Sequence, residues 1–486
     1  MTTITPTINP QAPVSKLWIA TGIILSGFGW YISNGLNGDW WFLLWLAPVP
    51  ALLLALRQRP GAAFMAVFAA CLIGRLSWFG YLERVMMLVP AIIYTILLPL
   101  ISALIILLTR WVVLRVNAWY AIFAFPIFIT VYEFLMMCLS PDGTATSLAY
   151  TQLNCLPIIQ VAAITGILGV TFMVTFIPSV IALGWHYSGQ KTKQLRTITI
   201  GGIIIVSVLF WGTMRISAPA DKNMVKVGLA VLDEDLHSTN DHPDFEKQKT
   251  VAADYAKQAA ALAAKGAKLV IFPERVIATN KQLDDSITGK LSAVAAQNHI
   301  FVIAGYTNFK GDKERNSALV INDGGKTVAD YNKVHLVVGL ERQFTPGKDI
   351  GLFKYQDMQA GIAVCKDLDF QQYINRYGAA KAGFVFVPAW DFIVDDWLHC
   401  RMALLRAVEN GFSEVRAARL GRLTISDYYG RVNYEANCAN SKAATLVGDV
   451  SMEHIDTFYS RFGDWFGYLI LVVGIGFVGV AVRRKF

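Results

Sequence analysis

Three residues of different chemistry stand in order along one polar stretch of the chain: Glu274 in Phe272-Pro273-Glu274, Lys333 in Tyr331-Asn332-Lys333, and Cys365 in Ala363-Val364-Cys365. A carboxylate, an ammonium and a thiol are what acyl transfer through a thioester needs. A thiol near its free pKa of about 8.5 is mostly protonated at neutral pH, so a nucleophilic cysteine requires a base or a cation beside it. Glu274 can take the proton, and Lys333 can stabilise both thiolate and oxyanion. Singly, each has an ordinary explanation, since a cysteine after an apolar strand is usually inert core and a lone Lys or Glu is usually solvated surface. The ordered set carries the chemistry.

The flanking pattern supplies elements that can position these groups. Glu274 follows the apolar run Val270-Ile271-Phe272, and Cys365 follows Gly361-Ile362-Ala363-Val364. Both then sit at the C-terminal ends of buried strands, where α/β sheets hold their active groups. Around them the pattern predicts strands at Met224–Leu232, 268–272, 300–304, 317–321, 361–364, 383–387, 413–418 and 423–426, with helices over 244–265, 282–297 and 397–410. Residues 222–460 read as one α/β layered domain. The segment 336–352, with Gly339, Pro346 and Gly347, reads as a lid or as a plain surface loop.

The rest of the chain belongs to a different solvent. Of 486 residues, 55% are hydrophobic and 16% charged, and the mean hydropathy is +0.44, so this is an integral membrane protein. Crossing a bilayer takes about 20 apolar residues. That criterion predicts spans at 16–36, 39–57, 61–81, 86–109, 112–138, 157–185 and 197–215, then one at 464–482 after the polar block. Residues 1–15 and 483–486 become cytoplasmic tails flanking a seven-helix domain over 16–216, the polar domain and a last helix. Cytoplasmic loops retain Lys and Arg. With the N-terminus inside, that side receives Arg57, Arg59, Arg110, Lys191, Lys193, Arg196 and Arg483-Arg484-Lys485, while the 139–156 loop on the other side has Asp142 and no Lys or Arg. The same parity places 222–460 outside the cytoplasm. Arg75 and Glu133, near or within apolar spans, either snorkel to an interface or line a polar path through the bundle.

Several classes are disfavoured. The net charge of +8 comes without a basic helix or an aromatic nucleic-acid motif, so no nucleic-acid partner is expected. The six cysteines show no metal-ligand spacing, and neither a metal nor a cofactor is expected. Cys400 and Cys438 would face an oxidising compartment and are expected as free thiols.

The segments Leu269-Val270-Ile271-Phe272-Pro273-Glu274, Tyr331-Asn332-Lys333-Val334-His335 and Gly361-Ile362-Ala363-Val364-Cys365 resemble the nitrilase, or carbon–nitrogen hydrolase, superfamily, whose Glu, Lys and Cys occur in this order. With the membrane frame, the chain is similar to the apolipoprotein N-acyltransferase family. Val131-Tyr132-Glu133, Leu148 to Gln152, Glu341, His399 to Met402, Arg406 to Glu409, Val415-Arg416, Gly421 and Asp427 to Gly430 agree with that family. The resemblance implies an αββα sandwich on the extracytoplasmic side of a bacterial inner membrane. It implies a phospholipid acyl donor and a lipoprotein N-terminal diacylglyceryl-cysteine acceptor. It further implies Glu274, Lys333 and Cys365 as catalytic residues and Glu341 as their support. Tyr150, Gln152, Trp390, Phe392 and Trp397 are candidates for substrate contact. Lys366-Asp367, Pro388 to Phe392 and Arg419 depart from the family's usual residues, which bears on donor and acceptor. A membrane-anchored amidase or nitrilase-type hydrolase would use the same triad, with water resolving the acyl-enzyme. A transporter or lipid-binding scaffold with an inactive domain is the non-enzymatic alternative.

Overall fold

The computed structural model describes residues 15–219, 223–232, 243–441 and 443–484. The expected N-terminal tail, apart from Ser15, and Lys485 of the basic C-terminal cluster lie outside the described residues. Helices stand at each of the eight places where a span was expected, but six among the described residues are long and apolar enough to cross a membrane. These are Pro60–Met86, Leu88–Val116, Trp119–Leu139, Ile167–His186, Lys191–Ile216 and Trp465–Arg483.

The first two positions differ from expectation for identifiable reasons. The Lys16–Ser33 helix is 18 residues long, opens on Lys16 and carries Gly22, Ser26, Gly27 and Gly29. Those small residues let its backbone approach its neighbours: side chains in place of Gly22 and Gly27 would strike Leu54 and Ile73. The second helix, Pro48–Arg57, is only 10 residues long, because Trp41–Trp45 forms a separate 3-10 turn before it.

Two boundaries also move. The span expected at 157–185 is broken into the short helices Leu156–Ile159 and Ala162–Thr165 before the long one starts at Ile167. The sequence breaks the chain near Arg110, yet the Leu88–Val116 helix runs through it and ends at Asn117, which adopts a left-handed conformation at φ 44°. Arg110 need not reach solvent, since its Nε donates to the Ala55 carbonyl at 2.7 Å and its Nη2 to the Gln58 carbonyl at 2.9 Å.

The polar domain is built on two six-stranded sheets. The first has the order β12-β1-β2-β3-β4-β5, made of Ala444–Ser451, Met224–Val231, Leu269–Asn280, Phe301–Phe309, Arg315–Ile321 and Thr327–Asn332. The second, β11-β10-β9-β8-β7-β6, is made of Val432–Asn437, Arg422–Ser426, Ser413–Arg419, Phe384–Trp390, Met358–Ile362 and Gly351–Tyr355. Their inner faces interlock through Val227, Leu229, Ile271, Ile303, Phe384, Phe386, Val415 and Ile425, all fully buried. Helices Phe245–Ala264 and Asp284–Asn298 cover the outer face of the first sheet, and Gln371–Ala379 and Asp396–Asn410 cover the second. The result is an αββα sandwich. Strands β5, β6, β11 and β12 and the Gln371–Ala379 helix were not read from the sequence. β5 and β11 are mostly exposed edge strands without a clean apolar alternation.

The Asp396–Asn410 helix joins the two parts of the molecule. Ala403 and Ala407 face the second sheet, while Trp397, Leu398, Met402, Leu404, Leu405 and Val408 belong to the apolar core of the membrane domain. Glu409 on the same helix accepts the Ile167 backbone N–H at 2.6 Å. A carboxylate thereby caps the start of the Ile167–His186 helix, whose first N–H groups have no intrahelical partner.

Candidate active site

Glu274 does not end its strand, as the sequence suggests; β2 runs on to Asn280. Its pairing with β3 shifts register between Phe272 and Ile277, so Pro273, Glu274, Arg275 and Val276 form a bulge. A bulge tolerates a proline and re-aims a side chain. Arg275 takes φ 54° there, and Gly305 on β3 leaves room, since a Cβ at that position would lie 2.5 Å from the Glu274 Cα. Lys333 follows the end of β5, its backbone N–H donating to the Asn316 carbonyl at 2.9 Å. Cys365 opens the short 3-10 turn Cys365–Asp369. Its φ of 45° is a conformation that a non-glycine residue rarely holds, and it lifts the thiol out of the chain path, with Sγ 3.7 Å from the Trp390 carbonyl.

These three elements bring the predicted groups together, with Glu274 and Lys333 buried and Cys365 partly exposed. Lys333, 1% exposed, places Nζ 2.8 Å from Glu274 Oε1 and 3.0 Å from Glu341 Oε2. Asn316 Nδ2 donates to both carboxylates, at 2.5 Å to Glu274 and 2.6 Å to Glu341, and the Val337 N–H donates to Glu341 Oε2 at 2.7 Å. Burial alone would depress the Lys333 ammonium, but Glu274, Glu341 and Cys365 raise it well above the usual lysine range. For Glu341, burial pulls upward and Lys333 with its donors pulls further down, leaving it below an ordinary glutamate. Lys333 and Glu341 are thus a standing ion pair. Burial, then Glu274, push the Cys365 thiol well above its ordinary range against the pull of Lys333. The resting nucleophile is a neutral thiol that needs a base at the moment of attack.

Asp367, a departure from the family pattern, ties the site together. Its carboxylate accepts from the Tyr331 hydroxyl at 2.6 Å, the Val334 N–H at 3.1 Å, the His335 N–H at 2.8 Å and the Val364 N–H at 3.0 Å. One side chain therefore locks the segment carrying Lys333 to the turn carrying Cys365. On the other flank, Asp391 receives both Nη atoms of Arg416, at 2.9 and 2.6 Å. Burial would raise this carboxyl, but Arg416 and His399 hold it at about 2. His399, 3.2 Å from Asp395 and 3.6 Å from Asp391, is raised to about 9 against the depressing effect of burial.

The remaining predicted residues fall in different places. Trp390 lies beside the thiol, stacked by Arg419 at 4.2 Å and Arg275 at 5.6 Å. Phe392 is half-buried, its N–H bound to Asp395 at 2.9 Å. Trp397 instead plugs into the membrane domain against Gly38, where any side chain would strike the indole ring. Tyr150 and Gln152 are buried among membrane-domain neighbours: the Tyr150 hydroxyl pairs with Thr144 at 2.5 Å, and Gln152 Oε1 accepts from Trp45 at 2.8 Å. The 336–350 segment is anchored at its ends, with the Gly347 N–H on the Lys333 carbonyl at 2.8 Å; Glu341 and Phe344 point inward, and Val338 and Leu340 are exposed. Cys400 and Cys438 are free, bound separately to Thr424 and to backbone carbonyls.

Sequence reasoning missed Asn316 and the contacts beneath the nucleophile. Thr144 donates to the Asp369 carbonyl through its N–H at 2.9 Å and its hydroxyl at 2.8 Å, and Lys366 Nζ sits 2.6 Å from Asp142. No local signal marks Asn316; its neighbours simply read as the start of a strand. Among the described residues no three His, Cys, Asp or Glu side chains converge as metal ligands.

A buried Glu–Lys–Cys site in an αββα sandwich, set on a membrane bundle, defines a nitrilase-superfamily enzyme with a membrane domain. Residues 237–434 match the carbon–nitrogen hydrolase family, and residues 26–180 match the apolipoprotein N-acyltransferase N-terminal domain. The chain is 25% identical to an apolipoprotein N-acyltransferase of Geobacter metallireducens, with 91% of each chain covered. It is 24% identical to an apolipoprotein N-acyltransferase of Haemophilus ducreyi, over 69% of this chain and 70% of that one. Among solved structures, an amidase from Nesterenkonia sp. superposes with a TM-score of 0.41 at 18% identity, covering 49% of this chain and 93% of the amidase. The two matches lie in the order membrane domain then catalytic domain, and the similarity to apolipoprotein N-acyltransferases runs over most of the chain.

Proposed function

We propose that this enzyme moves a fatty acyl chain from a phospholipid, through a thioester on Cys365, to the N-terminal amine of a diacylglyceryl-cysteine lipoprotein. The observation that carries the reading is the Lys333–Glu274 contact of 2.8 Å beside the left-handed turn that presents Cys365. Glu274 takes the thiol proton as Sγ attacks the ester carbonyl. Lys333 and the Lys366 backbone N–H stabilise the oxyanion. As the tetrahedral species collapses, the carbon–oxygen bond breaks, and Glu274 returns the proton to the departing lysophospholipid oxygen. The acceptor amine then attacks the thioester, loses its proton through Glu274, and releases Cys365 as the thiol with an amide formed.

The siting suits a lipid donor. Asp369, four residues past the nucleophile, is bonded to Thr144 of the membrane domain, and Thr144 also lines a cavity between the helices. A donor there can keep its tails out of water while its ester meets the thiol.

The working side is the extracytoplasmic one. Arg115, Lys193 and Arg484 gather around Asn117 and Val116 at one end of the bundle, and the catalytic domain meets the loop after Leu139 at the other. Basic clusters mark the cytoplasmic end. Because Lys16–Ser33 and Pro48–Arg57 form a pair, counting both or neither leaves this sidedness unchanged.

The test is incubation of the purified protein with phospholipid and a diacylglyceryl-cysteine peptide. The peptide should gain one acyl mass, as read by mass spectrometry. Release of free fatty acid with no acylated peptide would make the enzyme a hydrolase.

A further inference from the structure

The cavity between the membrane helices holds an unsatisfied cation. Arg75, 9% exposed, ends the Pro60–Arg75 helix and lines this space of ≈ 120 Å³, which is far larger than one water requires. Its Nε and Nη2 have no hydrogen-bond partner among the described residues. The Trp78 ring, 4.8 Å from Cζ, braces the guanidinium plane. The nearest kind of internal counter-ion is already engaged: Glu133, also on the cavity wall, accepts from Ser147 at 2.7 Å, the Leu148 N–H at 2.7 Å and Thr171. A buried guanidinium without an anion is destabilising unless a ligand brings one.

We infer that Arg75 is the binding site for the phosphodiester of the phospholipid acyl donor, an inference that rests on the donor proposed above. The free Nε–Nη2 edge is the fork that matches two non-bridging phosphate oxygens. The rest of the cavity fits the same molecule. Leu98, Ile106, Phe125 and Val174 give it apolar walls, and Gly143 and Thr144 form its rim beneath the Cys365 turn. An amphiphile with one anionic centre and hydrocarbon tails satisfies all three regions.

The test is binding to the full-length Cys365→Ala protein in detergent micelles, so that turnover plays no part. Radiolabelled phosphatidylglycerol is displaced by unlabelled phosphatidylglycerol, by diacylglycerol with the same chains, and by inorganic phosphate. With Arg75 present, phosphatidylglycerol should bind on the order of tenfold or more tightly than diacylglycerol, as a charge-assisted bidentate contact provides. Arg75→Gln should abolish that preference, and Arg75→Lys should leave an intermediate one. A preference that survives in Arg75→Gln overturns the inference. So does an equal fall in affinity for both lipids in both variants, which would mean that Arg75 only shapes the cavity. Displacement by inorganic phosphate at lipid-like concentration would refute the lipid headgroup as the ligand. If the unsubstituted enzyme fails to acylate the peptide while the Arg75-dependent preference persists, the proposed reaction fails and the phosphate site stands.

Discussion

Lys366 Nζ lies 2.6 Å from Asp142 Oδ1, an ion pair joining the residue after the nucleophile to the loop that follows the Ala124–Leu139 helix. In the sequence, Lys366 is one of the positions set apart from the resembling family's pattern. Together with the two Thr144–Asp369 hydrogen bonds, the pair fixes the Cys365 turn over the membrane-domain cavity. The departure therefore bears on how the catalytic domain is seated.

Lys366→Ala and Asp142→Ala should each raise KM for a phospholipid donor more than they lower kcat. The double variant should be little worse than either single one, with a coupling of roughly 1 kcal/mol for a partly exposed pair. Donor titrations of all four proteins measure it. Strictly additive losses would show that the two charges do not act together.

Lys333 and Glu274 should separate stability from catalysis. Lys333→Ala leaves Glu274 and Glu341 buried without their shared cation, and should cost about 3 kcal/mol or more of stability along with all activity. Glu274→Gln keeps the Lys333–Glu341 contact of 3.0 Å and should fold with a nearly unchanged Tm while losing turnover. Thermal unfolding in detergent, paired with acyl transfer, reads both outcomes. An active Glu274→Gln enzyme would remove Glu274 as the base.

His399 should make stability fall on the alkaline side. Its folded pKa of about 9 exceeds the unfolded value of about 6.5, so the folded state binds the proton more tightly. The contribution is complete below about pH 6.5 and is lost as pH rises through about 9. The Tm advantage of the unsubstituted protein over His399→Gln should therefore be largest near pH 6 and shrink by pH 9.5. An advantage that grows with pH would contradict the protonated assignment.

Glu274 and Cys365 were legible because each follows a local apolar run that announces a strand, whereas Lys333 follows β5, which carries no such run. Cys365 follows such a run, and its position needed no tertiary information. Its φ of 45° was not legible, since nothing about cysteine favours the left-handed region. Glu274 was assigned to a strand end because Pro273 reads as a stop; the bulge that accommodates the proline depends on β3, which lies far along the chain. Trp397 shows what only the tertiary structure supplies. An aromatic near a substrate-binding segment suggests a pocket, but its place is set by Gly38, more than three hundred residues earlier. Asp367 was visible only as a mismatch with relatives, and the segment that it anchors, Val334 and His335, had to be in place before its role could be read. Six helices followed hydropathy, the largely buried Ile167–His186 among them, whereas the Lys16–Ser33 helix is set by close packing at Gly22 and Gly27.

The most direct test of the account is to hold the enzyme with phospholipid and no acceptor, digest it, and weigh the peptide that contains Cys365. The account predicts one added acyl chain on that cysteine, removable by neutral hydroxylamine as a thioester is, and absent in Cys365→Ala. An unmodified Cys365 peptide from a preparation that acylates the acceptor, or acylation that survives in Cys365→Ala, would contradict it.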